Sequence, residues 1–225
     1  MDDILYLGSV WVLPVLLAIT LHEAAHGWAA WKLGDSTAKN LGRVTFNPIV
    51  HIDPLGTIVL PAILISVGGV LFGWAKPVPV NFARLGSPKR DMVLVAGAGP
   101  TINIGLAIAS ALALYLVPFF SRGFSEWFAQ NMINSININI LLAVFNMIPL
   151  LPLDGGRVVV GILPRSLALQ YAKLERYGLF ILIGLVFILP LLGRQLGTNL
   201  NIFGWLVLGP LEFLRGIVLQ GVGLI

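Results

Sequence analysis

The chain has 225 residues, of which 57% are apolar and only 11% are charged. Soluble domains carry about 45–50% apolar and about 25% charged residues, so this composition excludes a soluble globular protein and indicates an outer face that contacts lipid. The net charge of +4 comes from basic residues between apolar segments, which excludes a nucleic-acid-binding patch, and the lack of cysteine excludes disulfides and thiol catalysis.

The apolar segments predict an all-α polytopic membrane protein with about five spanning helices. The first segment runs from about residue 4 to residue 33, long enough to cross about 30 Å of hydrocarbon as a helix, and Gly34 ends it. The other predicted spans cover 92–118, 132–151, 177–192 and 202–219. We expect one domain over residues 1–225, because no linker-like stretch divides the chain.

Residues 56–75 are also apolar, but a proline and a Gly-Gly pair interrupt them, and two topologies are open. Thirteen basic residues precede the last predicted span. If the segment enters and leaves at one face, eleven of them share one side and Arg122 and Arg194 lie opposite; if it spans, the division is eight against five. Positive charge in short loops marks the cytoplasmic side, so we predict a re-entrant segment. We also expect short β-strands near the cytoplasmic face, at 43–46 and 76–81.

The sequence His22-Glu23-Ala24-Ala25-His26 lies in the first predicted helix. Residues four apart in a helix share a face, so both imidazoles can bind one Zn²⁺. Glu23 can reach the open side of the metal and accept a proton from bound water. Ionisable groups inside a membrane helix are costly and usually functional, which favours a metal site over packing alone.

A catalytic zinc site needs a third protein ligand. His51, in a proline-flanked loop, is interpreted as a structural or capping histidine. Asp154 is the stronger candidate, because it follows a long apolar run and lies where Pro152 and two glycines end a helix. With the re-entrant topology, Asp154 and the histidine pair approach the same membrane depth near the cytoplasmic face.

Three motifs together resemble the site-2 protease family of intramembrane zinc metalloproteases: HEAAH at 22–26, GPTIN at 99–103 and FNMIPLLPLDGG at 145–156. The resemblance covers about residues 5–165, with additional C-terminal helices at about 177–219. It is typical of the small prokaryotic branch that lacks PDZ and CBS domains. It implies a zinc cofactor, with His22, His26 and Asp154 as ligands and Glu23 as general base.

Asn146 lies two helical turns before Asp154 and could share a face with it. The resemblance implies that Asn146 helps to hold the substrate backbone or the developing oxyanion, whereas interhelical hydrogen bonding is the alternative. For Gly99 and Asn103 we predict close helix packing.

The predicted function is hydrolysis of peptide bonds within or near transmembrane segments of membrane protein substrates. Expected partners are a transmembrane protein or peptide substrate and the lipid bilayer, in the cell membrane of a prokaryote, with the active site nearer the cytoplasmic side. The alternative is a membrane transporter or metal carrier that uses the same His and Asp residues, although the half-chain repeats common in transporters are not evident. A catalytically silent scaffold is disfavoured by the intact HEAAH motif and Asp154.

Overall fold

The computed structural model describes residues 2–59, 63 and 75–225, and that part of the chain is helical without β-strands. Short 3₁₀ or π segments connect some of the α-helices. We number the α-helices in chain order as α1 (Asp2–Lys32), α2 (Thr37–Asn40), α3 (Pro88–Ala113), α4 (Arg122–Asn146), α5 (Asp154–Ile162), α6 (Arg165–Ala172), α7 (Glu175–Ile183), α8 (Leu189–Gln195) and α9 (Ile202–Gly221).

Among the described residues, five helical stretches are long and apolar enough to cross a membrane: Leu5–Lys32, Pro88–Phe119, Arg122–Asn146, Glu175–Gln195 and Ile202–Gly221. Large apolar side chains such as those of Trp11, Phe180, Trp205 and Phe213 are exposed on their outer faces, as lipid contact requires. These stretches confirm the predicted number of spanning helices and a multi-pass membrane protein. The third stretch begins ten residues before the predicted run, at Arg122.

Helices α1, α3 and α4 pack on one another and form the centre of the fold. One buried apolar cluster lies between α3, α4 and α9 and includes Ala107, Ile140 and Val207. A second cluster joins α1 to α3 and includes Ala30 and Val95. Small residues at these contacts let the helix backbones approach closely, which is how membrane helices gain packing energy.

The predicted β-strands at 43–46 and 76–81 are wrong, because both stretches are irregular. In the second stretch, the N–H of Val78 donates to Glu23 and the N–H of Asn81 donates to Asp35. The guanidinium of Arg43 donates to the carbonyls of Lys76 and Pro77. Side chains therefore satisfy these backbone groups, and a partner strand is not needed.

The predicted re-entrant segment, 56–75, lies largely outside the described residues. One hydrogen bond joins the described stretches that flank this segment: the N–H of Lys76 donates to the carbonyl of His51 at 2.9 Å. His51 is buried, and its Nε2 lies 3.2 Å from the carbonyl oxygen of Thr45. Burial lowers the pKa of His51 despite this contact, which fits the predicted structural role of a neutral ring.

Asp35 joins the loop after α1 to the loop before α3. Its fully buried carboxylate accepts hydrogen bonds from the N–H and hydroxyl of Thr37 and from the N–H of Asn81, the last at 2.6 Å. Burial alone would raise the pKa of Asp35, but these hydrogen bonds, with a smaller contribution from Arg84, hold it below its usual range. The ionised carboxylate thus stabilises the end of α1 that lies nearest to the histidine pair.

We predict that Asp35→Asn destabilises the folded protein by about 1–3 kcal/mol at neutral pH, because charge-assisted hydrogen bonds are lost. Since the folded pKa is depressed, this stabilisation is present above the unfolded pKa of about 3.9 and is lost as pH falls through the folded value. The measurement is thermal unfolding in detergent across pH, and the variant and wild type should converge at the acidic end. Asn40→Ala, an exposed change in the same region, is the control, and equal midpoints for Asp35→Asn and wild type at pH 7 would contradict the prediction.

Candidate metal centre

Helix α1 brings His22 and His26 to one face, as their spacing predicts. The two Nε2 atoms are 3.0 Å apart and both side chains are buried. The Nδ1 of His26 lies 2.7 Å from the backbone carbonyl oxygen of Val95 on α3. A carbonyl oxygen can only accept, so Nδ1 of His26 carries the proton and Nε2 of the neutral ring keeps a lone pair.

Asp154, the first residue of α5, meets the histidine pair from a distant part of the chain. Its Oδ2 atom is 3.2 Å from Nε2 of His22 and 3.2 Å from Nε2 of His26. The Oδ2 atom is buried and forms no hydrogen bond of acceptable geometry. A buried acceptor without a donor is costly, and a divalent cation between the three atoms would remove that cost.

These three side chains form a group that could hold a metal ion, with all ligand atoms within 4.8 Å of one another. Two imidazole nitrogens and one carboxylate oxygen are a common zinc donor set in catalytic sites, where a fourth position stays open for water. The residues therefore fit the predicted metal.

Three glycines allow the close contacts around this site, because a Cβ at each position would overlap a neighbouring group. A Cβ at Gly99 on α3 would lie 2.5 Å from Nε2 of His26 and 2.7 Å from Nε2 of His22. At the start of α5, a Cβ at Gly155 would overlap the carbonyl of Met147, and one at Gly156 would lie 2.5 Å from the N atom of Leu151. Gly99 thus has the packing role that we predicted, and the Gly-Gly pair after Asp154 lets α5 approach the preceding loop.

Glu23 lies beside the histidine pair and is partly buried. Its Oε2 accepts a hydrogen bond from the N–H of Val78 at 2.8 Å. The other carboxylate oxygen, Oε1, is therefore not required for the contact with this loop. Glu23, the three candidate ligands and segment 75–80 line one cavity of about 750 Å³, so a carboxylate and a metal-binding group face the same space.

Asn146, at the end of α4, also lines this cavity. Its Nδ2 donates to the carbonyl of Leu142 at 3.0 Å, one turn earlier, which leaves the second amide hydrogen for another acceptor. Arg157 lines the cavity too; its guanidinium lies 3.3 Å from the carboxylate of Glu175 and stacks over Phe82 at 5.2 Å. The sequence analysis did not single out Arg157.

Asn103 has a contact that the sequence analysis missed. Its Oδ1 lies 2.6 Å from Nδ1 of His22, and its side chain is fully buried. A signal was present, because Asn103 is four residues after Gly99 and so lies on the same face of α3. The Val78 contact with Glu23 carries no sequence signal, since the donor is a backbone atom in an irregular loop.

Comparison with known proteins identifies several relatives. A protein of Bacillus subtilis (strain 168) named "Putative zinc metalloprotease YwhC" is 38% identical, and the match covers 89% of this chain and 92% of that protein. Proteins named "Putative zinc metalloprotease Rip2" from two mycobacterial species also match. The one from Mycolicibacterium smegmatis is 28% identical over 80% of this chain and 66% of its own length. The one from Mycobacterium tuberculosis (strain H37Rv) is 29% identical over 62% of this chain and 52% of its own length. No protein-family model and no solved structure matches the chain.

We predict that Gly99→Ala weakens zinc binding at least tenfold, because the added Cβ displaces both imidazoles. Gly97→Ala is the matched control on the same helix, since a Cβ there meets nothing within 4 Å and alanine favours a helix over glycine. The zinc dissociation constant of each purified variant, measured by competition with a chelator, tests this. Unchanged zinc affinity in Gly99→Ala would contradict the geometry described here.

Proposed function

This chain belongs to the site-2 protease family of zinc metalloproteases, and from that premise we propose that it hydrolyses peptide bonds within or near transmembrane segments of membrane proteins. The zinc metalloprotease relatives imply Zn²⁺ as its cofactor. The observation that carries the proposal is the convergence of two histidine nitrogens and one buried carboxylate oxygen beside Glu23, in a cavity inside a helix bundle. Two of the three candidate ligands, His22 and His26, lie on the spanning stretch Leu5–Lys32, which suits a protease whose substrates lie in the membrane.

In the proposed mechanism, His22, His26 and Asp154 hold the zinc ion. When bound, zinc supplies Lewis acidity that activates water and polarises the scissile carbonyl. Glu23 accepts the water proton and later passes it to the leaving amine. The N–H of Val78 holds one oxygen of Glu23, which restricts the rotamers of the carboxylate and keeps it directed into the cavity.

Asn146 is proposed to donate its remaining amide hydrogen to the substrate backbone or to the developing oxyanion. Its place in the cavity supports this role. Its hydrogen bond to Leu142 stays within its own helix, so that bond does not tie α4 to a neighbouring helix.

We place the active site nearer the cytoplasmic face of the cell membrane of a prokaryote. His26 lies six residues before the end of α1, roughly 10 Å at the helical rise per residue. The hydrogen bond between Lys76 and His51 and the one between Asn81 and Asp35 gather both flanking loops at this end of α1. Those loops carry Lys39, Arg43, Lys76 and Arg84, and positive charge favours the cytoplasmic side.

The transporter alternative has less support. The relatives are named as metalloproteases rather than as transporters, and the proposed base, Glu23, lines the same cavity as the three candidate ligands. A single domain over residues 1–225 remains our proposal for the chain as given.

We predict that Glu23→Gln lowers cleavage of single-span model substrates by at least about 100-fold, because general base catalysis is lost, while zinc binding is retained. The amide still accepts a hydrogen bond from Val78, so the local structure should persist. Glu212→Gln, an exposed acid-to-amide change on α9, is the control. Equal cleavage by Glu23→Gln and wild type in detergent with zinc would show that Glu23 is not the base.

We predict that Asn146→Ala lowers kcat by about 10²–10³, as loss of one oxyanion donor does, with little change in zinc affinity. Asn131→Ala is the matched control, because Asn131 lies on the same helix and makes the same kind of hydrogen bond to the carbonyl four residues earlier. A normal kcat in Asn146→Ala would assign that residue to helix packing instead.

A further inference from the structure

We propose that Asn103 and Asn139 form a directional chain of amide hydrogen bonds that positions His22 for metal binding by setting which of its nitrogens carries the proton. The inference rests on the proposed role of His22 as a zinc ligand. It assigns positioning roles to Asn103 on α3, for which the sequence predicted only close helix packing, and to Asn139 on α4.

The orientation of the Asn103 amide follows from its neighbours. Its Nδ2 lies 3.2 Å from the backbone carbonyl oxygen of Ala18 on α1 and 2.7 Å from Oδ1 of Asn139 on α4. A backbone carbonyl oxygen can only accept, so the amino group of Asn103 must face Ala18. Its Oδ1 therefore faces Nδ1 of His22, 2.6 Å away, and the histidine nitrogen must be the donor.

The orientation of the Asn139 amide is fixed in the same way. Its Nδ2 donates to the carbonyl of Ser135 at 2.9 Å and lies 3.2 Å from the Ser135 hydroxyl. Its Oδ1 is thus left to accept from Asn103. The donors run in one direction, from His22 to Asn103, from Asn103 to Asn139, and from Asn139 to the backbone of α4.

The surroundings hold this direction in place. Asn103 is 0% exposed and Asn139 is 1% exposed, so water is not at hand to replace a lost partner. Reversal of either amide would bring its oxygen against a backbone carbonyl, that of Ala18 for Asn103 and that of Ser135 for Asn139, which leaves buried groups unsatisfied. With the proton held on Nδ1, the neutral His22 ring presents the lone pair of Nε2 towards Asp154 and His26.

The test compares zinc dissociation constants of the purified full chain in detergent, measured by chelator competition without substrate. Asn103→Ala should weaken zinc binding by about 10- to 100-fold, as loss of a partner behind a metal ligand does, and Asn139→Ala should weaken it less. The matched control is Asn134→Ala. Asn134 is a buried asparagine that also donates to a carbonyl of α1, that of Val10 at 2.9 Å, and within the described part of the chain it does not hydrogen-bond to a histidine.

A second measurement observes the histidine protons directly. The chain has three histidines, so a zinc-loaded sample with ¹⁵N-labelled histidine rings gives an assignable spectrum. We expect a slowly exchanging Nδ1–H signal for His22 that is lost in Asn103→Ala. The Nδ1–H of His26, which donates to Val95, should persist in the same sample, and a general loosening of the bundle would instead remove both signals.

We call the hydrogen-bond chain from His22 through Asn103 to Asn139 the relay. The possible outcomes distinguish a failure of the relay from a failure of the proposed function. Wild-type zinc affinity in Asn103→Ala, or an equal loss in Asn134→Ala, would overturn the relay and leave the protease proposal intact. Normal zinc binding and the expected histidine signals in a protein that cleaves no substrate would support the relay while contradicting the protease. Absence of zinc binding by the wild type would contradict the metal site and the relay together.

Discussion

Three electron-rich atoms meet inside an apolar helix bundle, and the rest of the structure serves to hold them together. The Nε2 atoms of His22 and His26 and the Oδ2 atom of Asp154 lie within 3.2 Å of one another. Such atoms repel when no cation or proton lies between them, so the surrounding packing must supply the free energy that keeps them close. Buried ionisable groups in a membrane helix persist where they are paired or bound to an ion.

Close packing at glycine positions is the main feature that holds these three atoms together. Gly99 lets α3 contact the two imidazoles, and Gly155 and Gly156 let α5 rest on the loop before it. At Gly161, a Cβ would lie 2.5 Å from a methyl group of Val93 on α3, so the same helix that carries Asp154 is held against α3. The positions of the ligands thus depend on small residues on elements far apart in sequence.

Loops at one end of α1 complete the site. The N–H of Val78 donates to Glu23. The guanidinium of Arg43 donates to the carbonyls of the two residues before Val78. Gly27 allows this segment to approach α1, because a Cβ there would lie 3.1 Å from Val78 and 3.0 Å from Val44. The loop therefore orders a carboxylate on α1, and the helix in turn orders the loop.

The sequence predicts much of this arrangement because strong local rules apply. Apolar length predicts the spanning helices, and four-residue spacing predicts that His22 and His26 share a face. The predicted strand at 76–81 fails because Glu23 and Asp35 accept hydrogen bonds from backbone donors that a strand would need, and such long-range contacts leave no local pattern. The contact of Asn103 with His22 was missed for a related reason: its spacing places it near the metal face, but only the positions of Ala18 and Asn139 determine which way its amide points.

X-ray absorption at the zinc edge can establish whether His22, His26 and Asp154 together bind one zinc ion. For zinc-loaded protein, we expect one zinc per chain, scattering from two imidazole rings, and nitrogen and oxygen ligands at about 2.0–2.2 Å. Replacement of Asp154 by Ala should leave the imidazole scattering and change the oxygen contribution. A spectrum with oxygen ligands alone, or one that Asp154→Ala leaves unaltered, would rule out zinc binding by this set of three residues.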